Sequence, residues 1–123
     1  MKNVLVVGHC NLDHPRIVSL LEDNFSAKTT RVKLLKDTKQ LLSDGNYALA
    51  IINRIGASDQ ESGIELIKDI KKDGSFETPL MLVTNYEDQM DLAVKNGGVP
   101  GFGKDKLFDK ETVELLGSYL SEN

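Results

Sequence analysis

Tyr47-Ala48-Leu49-Ala50-Ile51-Ile52-Asn53 is the stretch that decides how this chain is read. Ala48 to Ile52 is apolar at every position, which describes a strand buried on both faces, not one half-exposed to water. Such a strand belongs at the centre of a parallel sheet covered by helices on both sides. In open α/β folds the carboxyl ends of the strands carry the sites. The residue delivered there is Asn53, an uncharged amide.

The flanking sequence alternates strand and helix signals. Val4 to Val7 is a short β-branched run, followed by Asp13 as a candidate helix cap, Pro15 in the first turn, and Ile17, Leu20, Leu21 and Phe25 at helical spacing. Ala27 to Lys33 favours extended backbone. Asp37 with Gln40 predicts a capping box before Leu41 and Leu42, and Gly45 closes that helix. Ser62 with Glu65 predicts another, opening a helix through Ile64, Ile67 and Ile70. Leu80 to Val83 is a fourth strand. Asn85 is a candidate cap for a helix with Met90, Ala93 and Val94, ended by Gly97-Gly98. Val99 to Gly103 gives a weak fifth strand, and Asp109 a cap for the last helix, with Phe108 and Val113 placed for a hydrophobic staple. The alternation predicts a doubly wound α/β domain with a five-stranded parallel sheet, helices on both faces and strand order 2-1-3-4-5.

Bulk properties narrow the function classes. With 123 residues, 40% apolar and 28% charged, the chain suits one compact core and one domain over residues 1–123, with no appended effector domain expected. No apolar run reaches membrane-spanning length, no secretory leader is recognisable, and the single cysteine, Cys10, has no internal partner. A cytoplasmic location is expected. The net charge is −4, and the one basic stretch, Lys28 to Lys39, is interrupted, so nucleic acid is not an expected partner.

The whole chain resembles the receiver domain of two-component response regulators, which has a flavodoxin-like fold. The resemblance rests on Val4 to Val7, Tyr47 to Asn53, Gly63 to Leu66, Pro79 to Thr84 and Asn96 to Lys104. It implies an acidic magnesium-binding pair after strand one, a phosphoacceptor aspartate after strand three, a hydroxyl after strand four and a lysine after strand five. The acidic-pair positions fall on Gly8 and His9, and the phosphoacceptor position on Asn53. Thr84 and Lys104 keep the hydroxyl and lysine, while the switch-aromatic position is Gly101 and the usual proline after the lysine is Asp105.

Magnesium wants carboxylate oxygens, and an amide cannot form an acyl phosphate. A degenerate, pseudo-receiver type is therefore expected, without magnesium or other cofactor, not phosphorylated on Asn53 and not an enzyme. It would act in phosphorelay signalling by protein–protein interaction, as a monomer or weak homodimer. The resemblance implies the helix 4–strand 5–helix 5 face as the partner surface. Thr84 and Lys104 either coordinate an anion or serve local structure, with Lys104 paired to Asp105, Asp59 or Asp13. An acid restored at position 53 would stand near Lys104, where it could form a new ion pair, and the fold should survive. His9, Cys10, Asp13 and His14 form the only metal-capable cluster, more simply explained as incidental. Residues 54–61 should form a polar surface loop over the site. The alternative function is a small-ligand, anion or metal sensor at the same edge.

Overall fold

The computed structural model describes residues 1–121; the last two residues of the expected 1–123 domain lie outside the described residues. Five strands, β1 (Lys2–Val7), β2 (Ala27–Val32), β3 (Leu49–Asn53), β4 (Leu80–Val83) and β5 (Val99–Phe102), form one parallel sheet in the order β2-β1-β3-β4-β5. Between and after them come α1 (Asp13–Asn24), α2 (Thr38–Asp44), α3 (Gly63–Asp73), α4 (Glu87–Lys95) and α5 (Lys110–Leu120). Single 3-10 turns at Leu35–Asp37 and Lys104–Lys106 lead into α2 and α5. The expected architecture and strand order are those observed.

Alternation along each strand divides the core into two layers. Val4, Val6, Leu49, Ile51, Met81 and Val83 face one layer with Ile17, Leu20 and Leu21 of α1 and Leu116 and Leu120 of α5. Leu5, Val7, Ala50, Ile52, Leu80 and Leu82 face the other, with Leu42 of α2, the three isoleucines of α3 and Ala93 of α4. Every residue of β3 is buried, so truncating Ile51 or Ile52 to alanine would cost about 2–5 kcal/mol. This double coverage fixes the register that sets Val7 beside Ile52 and Asn53 beside Val83. The loops carrying Gly8, Asn53 and Thr84 are thereby brought to one edge.

Helix starts depart from expectation where a tertiary partner competes for the cap. Ser62 does cap α3, its hydroxyl accepting the Glu65 N–H at 3.2 Å. Asp13 instead lies inside α1, and it is the Cys10 sulfur that accepts the Asp13 N–H, at 3.4 Å. Asp37 occupies the cap position of α2 without a side-chain bond, and Gln40 donates to Asp44 at 3.0 Å in place of the predicted box. Asn85 precedes the α4 cap position, Tyr86, and its side-chain amide oxygen Oδ1 accepts the Asp105 N–H at 3.1 Å. Asp109 holds the α5 cap position, again without a side-chain bond. Phe108 is 59% exposed, its ring lying under the Arg16 guanidinium at 5.6 Å.

Candidate functional site at the carboxyl edge

Asn53 ends β3 and is buried. Its amide nitrogen donates to the Gly8 carbonyl at 3.1 Å and the Ile55 carbonyl at 2.8 Å. Both bonds need a donor at this position, which a carboxylate lacks. The Gly8 carbonyl also accepts the Ala57 N–H at 2.9 Å, so one oxygen gathers β3 and the following loop onto β1.

Residues 54–62 form that loop, and it is ordered by its own bonds. Ile55 and Ser62 make an isolated antiparallel bridge. The Gly56 N–H donates to the Glu61 carbonyl at 2.9 Å, and the Gly63 N–H to the Arg54 carbonyl at 2.7 Å. Asp59 accepts the Leu35 N–H at 2.8 Å and the Glu61 N–H at 3.2 Å, fastening the loop to the turn before α2. The loop lies over the β1 end as expected, but it is a tied cover, with Gly56 buried and Ile55 half-buried. Asp59 serves this loop, not Lys104.

Gly8 has φ +76, and a Cβ there would stand 2.5 Å from Leu35 Cδ1. Its left-handed backbone and the leucine beside it exclude an ordinary side chain without local rearrangement. His9 is buried, with Nε2 donating to the Ile51 carbonyl at 3.1 Å, an assignment that follows from the partner being an acceptor. Its Nδ1 is buried with no hydrogen-bond partner among the described residues. Burial lowers its pKa from 6.5 to about 4, against the raising effect of the Ile51 bond and helped by the charges of Lys104 and His14.

The acidic-pair positions thus hold a glycine that resists a side chain and a neutral imidazole bonded to backbone. The residues present do not fit magnesium, which needs oxygen ligands. The neighbouring His9, Cys10, Asp13 and His14 are not arranged as a metal cage; among the described residues no group of three or more His, Cys, Asp or Glu side chains is placed to hold a metal ion. His14 is itself held below its usual pKa by burial and by Arg31.

Thr84 and Lys104 occupy the other side of the edge, after β4 and β5. The buried Thr84 hydroxyl accepts the Tyr86 N–H at 3.1 Å, shaping the turn into α4. Lys104 lies 3.0 Å from Asp13, which also stands 3.9 Å from Arg16. Burial alone would raise the Asp13 pKa; the Lys104 hydrogen bond, seconded by Cys10, outweighs it and holds the carboxyl below its usual range. Of the three acids open to Lys104 from sequence, Asp13 is its partner, and Asn53 faces carbonyls instead of the lysine. Lys104 is thus already engaged by Asp13, so an acid at 53 would not meet a free cation. Between the two sides lies a pocket of about 250 Å³ lined by Asn53, Arg54, Thr84, Asn85, Tyr86 and Lys104, among others. The Arg54 guanidinium sits 5.0 Å over the Tyr86 ring, a stacked pair that sequence spacing did not suggest.

Gly101 belongs to an irregular β5. Met81 pairs with Val99 and Val83 with Phe102, so Pro100 and Gly101 together face Leu82. That is a β-bulge, and a Cβ at Gly101 would collide with the Leu82 carbonyl oxygen. The expected switch-aromatic position accepts no side chain at all in this backbone. A proline inside a predicted strand was the available signal for a bulge.

No protein-family sequence model matches the chain, and no curated protein matches its sequence. Solved structures do match. The signal receiver domain of an HD domain-containing protein from Pseudomonas fluorescens Pf-5 is 20% identical with a TM-score of 0.80, over 97% of this chain and 86% of that one. The receiver domain of Francisella response regulator 1452 is 21% identical with a TM-score of 0.76, over 96% and 98%. Brucella abortus NtrX is 17% identical with a TM-score of 0.70, and this chain spans only 27% of its length. The fold is that of response-regulator receiver domains.

Proposed function

We propose that this chain is a receiver-like protein-interaction module of two-component signalling that is not phosphorylated on Asn53 and catalyses no reaction of its own. The observation that carries the reading is the Asn53 amide bonded to the Gly8 and Ile55 carbonyls at 3.1 and 2.8 Å. An amide is not a carboxylate nucleophile and cannot form an acyl phosphate. On this reading signalling passes through a partner protein that docks on the α4–β5–α5 face, the chain being a monomer or weak homodimer. A cytoplasmic setting accords with the absence, among the described residues, of any helix long and apolar enough to cross a membrane. Nucleic acid is not a partner on this reading, since the net charge is −4.

The test is exposure to acetyl phosphate and to beryllofluoride with millimolar magnesium, read by intact mass and by amide NMR shifts. No mass increment and no magnesium-dependent shift at Gly8, Asn53 or Thr84 is expected. A phosphoryl group mapped to this edge would overturn the reading. Asn53→Asp should stay equally unreactive, because Gly8 and His9 still bring no carboxylate to a metal.

A further inference from the structure

A groove of about 480 Å³ lies between α4 and α5 over β5, with Gly101 and Phe102 among its floor residues and Met90 and Leu115 in its walls. Its floor is the β5 bulge, where Pro100 and Gly101 oppose Leu82 and the Gly101 N–H donates to the Met90 sulfur at 3.3 Å.

Apolar surface continues outside the groove. Tyr86, at its mouth, is 58% exposed, and Val94, one turn beyond Met90 on the same stripe of α4, is 41% exposed. Charge at the rim is one-sided: the lining includes Glu87, Asp105 and Glu111 against Lys106 alone. None of these three acids is engaged in a salt bridge to the groove's lysine among the described residues.

We infer that the groove is the docking site for a partner-protein segment that inserts one bulky apolar side chain between Met90 and Leu115 and flanks it with lysine or arginine. The inference rests on the reading of the chain as a protein-interaction module and supplies the partner's chemistry. A buried aromatic anchor is what gives a small interface its strength. The acidic rim speeds the approach of a basic segment and repels an acidic one.

The test uses two short synthetic peptides with the same central tryptophan, one flanked by lysine and arginine, the other by glutamate and aspartate. Each is titrated into the full chain and followed by amide NMR. The basic peptide should shift Gly101, Gly103 and Leu115, bind at least about tenfold more tightly than its acidic twin, and weaken as salt is raised. Leu115→Ala should weaken it by about tenfold. Should that variant fold poorly, the double variant Glu87→Gln, Glu111→Gln, altering only exposed side chains, should weaken it by about fivefold at low salt. No shift with either peptide, equal affinity for both, or a footprint centred on Asn53, Arg54 and Ile55 would overturn the assignment. Because no phosphodonor enters this experiment, its failure leaves the phosphorylation test standing on its own result.

Discussion

On the β1–β3 side of the carboxyl edge the polar groups bond one another. Asn53 spans two carbonyls, Ala57 returns to Gly8, and Asp59 ties the covering loop to Leu35. On the β4–β5 side, Thr84 accepts the Tyr86 N–H, Asn85 accepts the Asp105 N–H and Lys104 pairs with Asp13, and a pocket of about 250 Å³ separates these residues from Asn53 and Arg54. The first side is built around neutral hydrogen bonds, and the backbone at Gly8 and the loop over it fit the Asn53 amide. On the second, Thr84 and Lys104 each have a structural partner, in the Tyr86 N–H and in Asp13.

The sharpest way to break that comparison is Asn53→Asp. A carboxylate at this place would face the Gly8 and Ile55 carbonyl oxygens, without the donor that now joins them. Losing buried hydrogen bonds and gaining an unpaired buried charge should cost about 4 kcal/mol at neutral pH. The new acid's pKa would be raised by burial and by the carbonyls, so its protonated form can donate again. Its deficit against wild type should therefore shrink as the pH is lowered toward 4 and grow as it rises. Urea denaturation across pH checks both size and slope. A variant as stable as wild type at pH 7 would mean that the sealed side is not sealed by Asn53.

His9 tests the same side from beneath. Its pKa is depressed from 6.5 to about 4 by burial, so the unfolded chain binds the proton more readily than the folded one. The associated stability is complete above pH 6.5 and drains as pH falls through 4. At about 1.4 kcal/mol per pH unit of separation, roughly 3 kcal/mol is lost over that window. His9→Gln removes the titration and should flatten the wild-type stability curve between those pH values, even if the variant is less stable at pH 7. An unchanged slope would reassign the effect to His14, which is also depressed from 6.5; the depressed Asp13 carboxyl acts only at lower pH.

What could be read from the sequence divides along the same physical line as these tests. The sheet was legible because apolar runs such as Leu49 to Ile52 and Leu80 to Val83 are local signals with one outcome. The Ser62 cap was legible because its acceptor and donor lie three residues apart. Asp13 and Asn85 misled because both carry cap-forming side chains, but stronger partners arrive from Lys104 and from the Asp105 N–H. Those partners are distant in sequence, and no local rule weighs them. Asn53 was recognised as a site residue by its position after β3. Its two carbonyl partners depend on the positive φ of Gly8 and the fold of residues 54–62, which spacing does not reveal.

The smallest effect belongs to the open side. Lys104 is about a third exposed, and its ion pair with Asp13 at 3.0 Å is reached by solvent. Pairs of this kind contribute about 0–1 kcal/mol, so Lys104→Met should lower stability by no more than that. Asp13 should respond more visibly. Its carboxyl is held below the usual range by the Lys104 bond, and without the lysine its pKa should rise, as carboxyl titration by NMR would record. In the folded protein a depressed acid contributes stability that is present above its unfolded pKa and lost as pH falls, so wild type and variant should converge in stability at low pH. The amide shifts of Asn53 and Ala57 should not move, since their bonds run to Gly8 and not to Lys104. If removing Lys104 instead disturbs Asn53, the two sides are one coupled site, and the division between them fails.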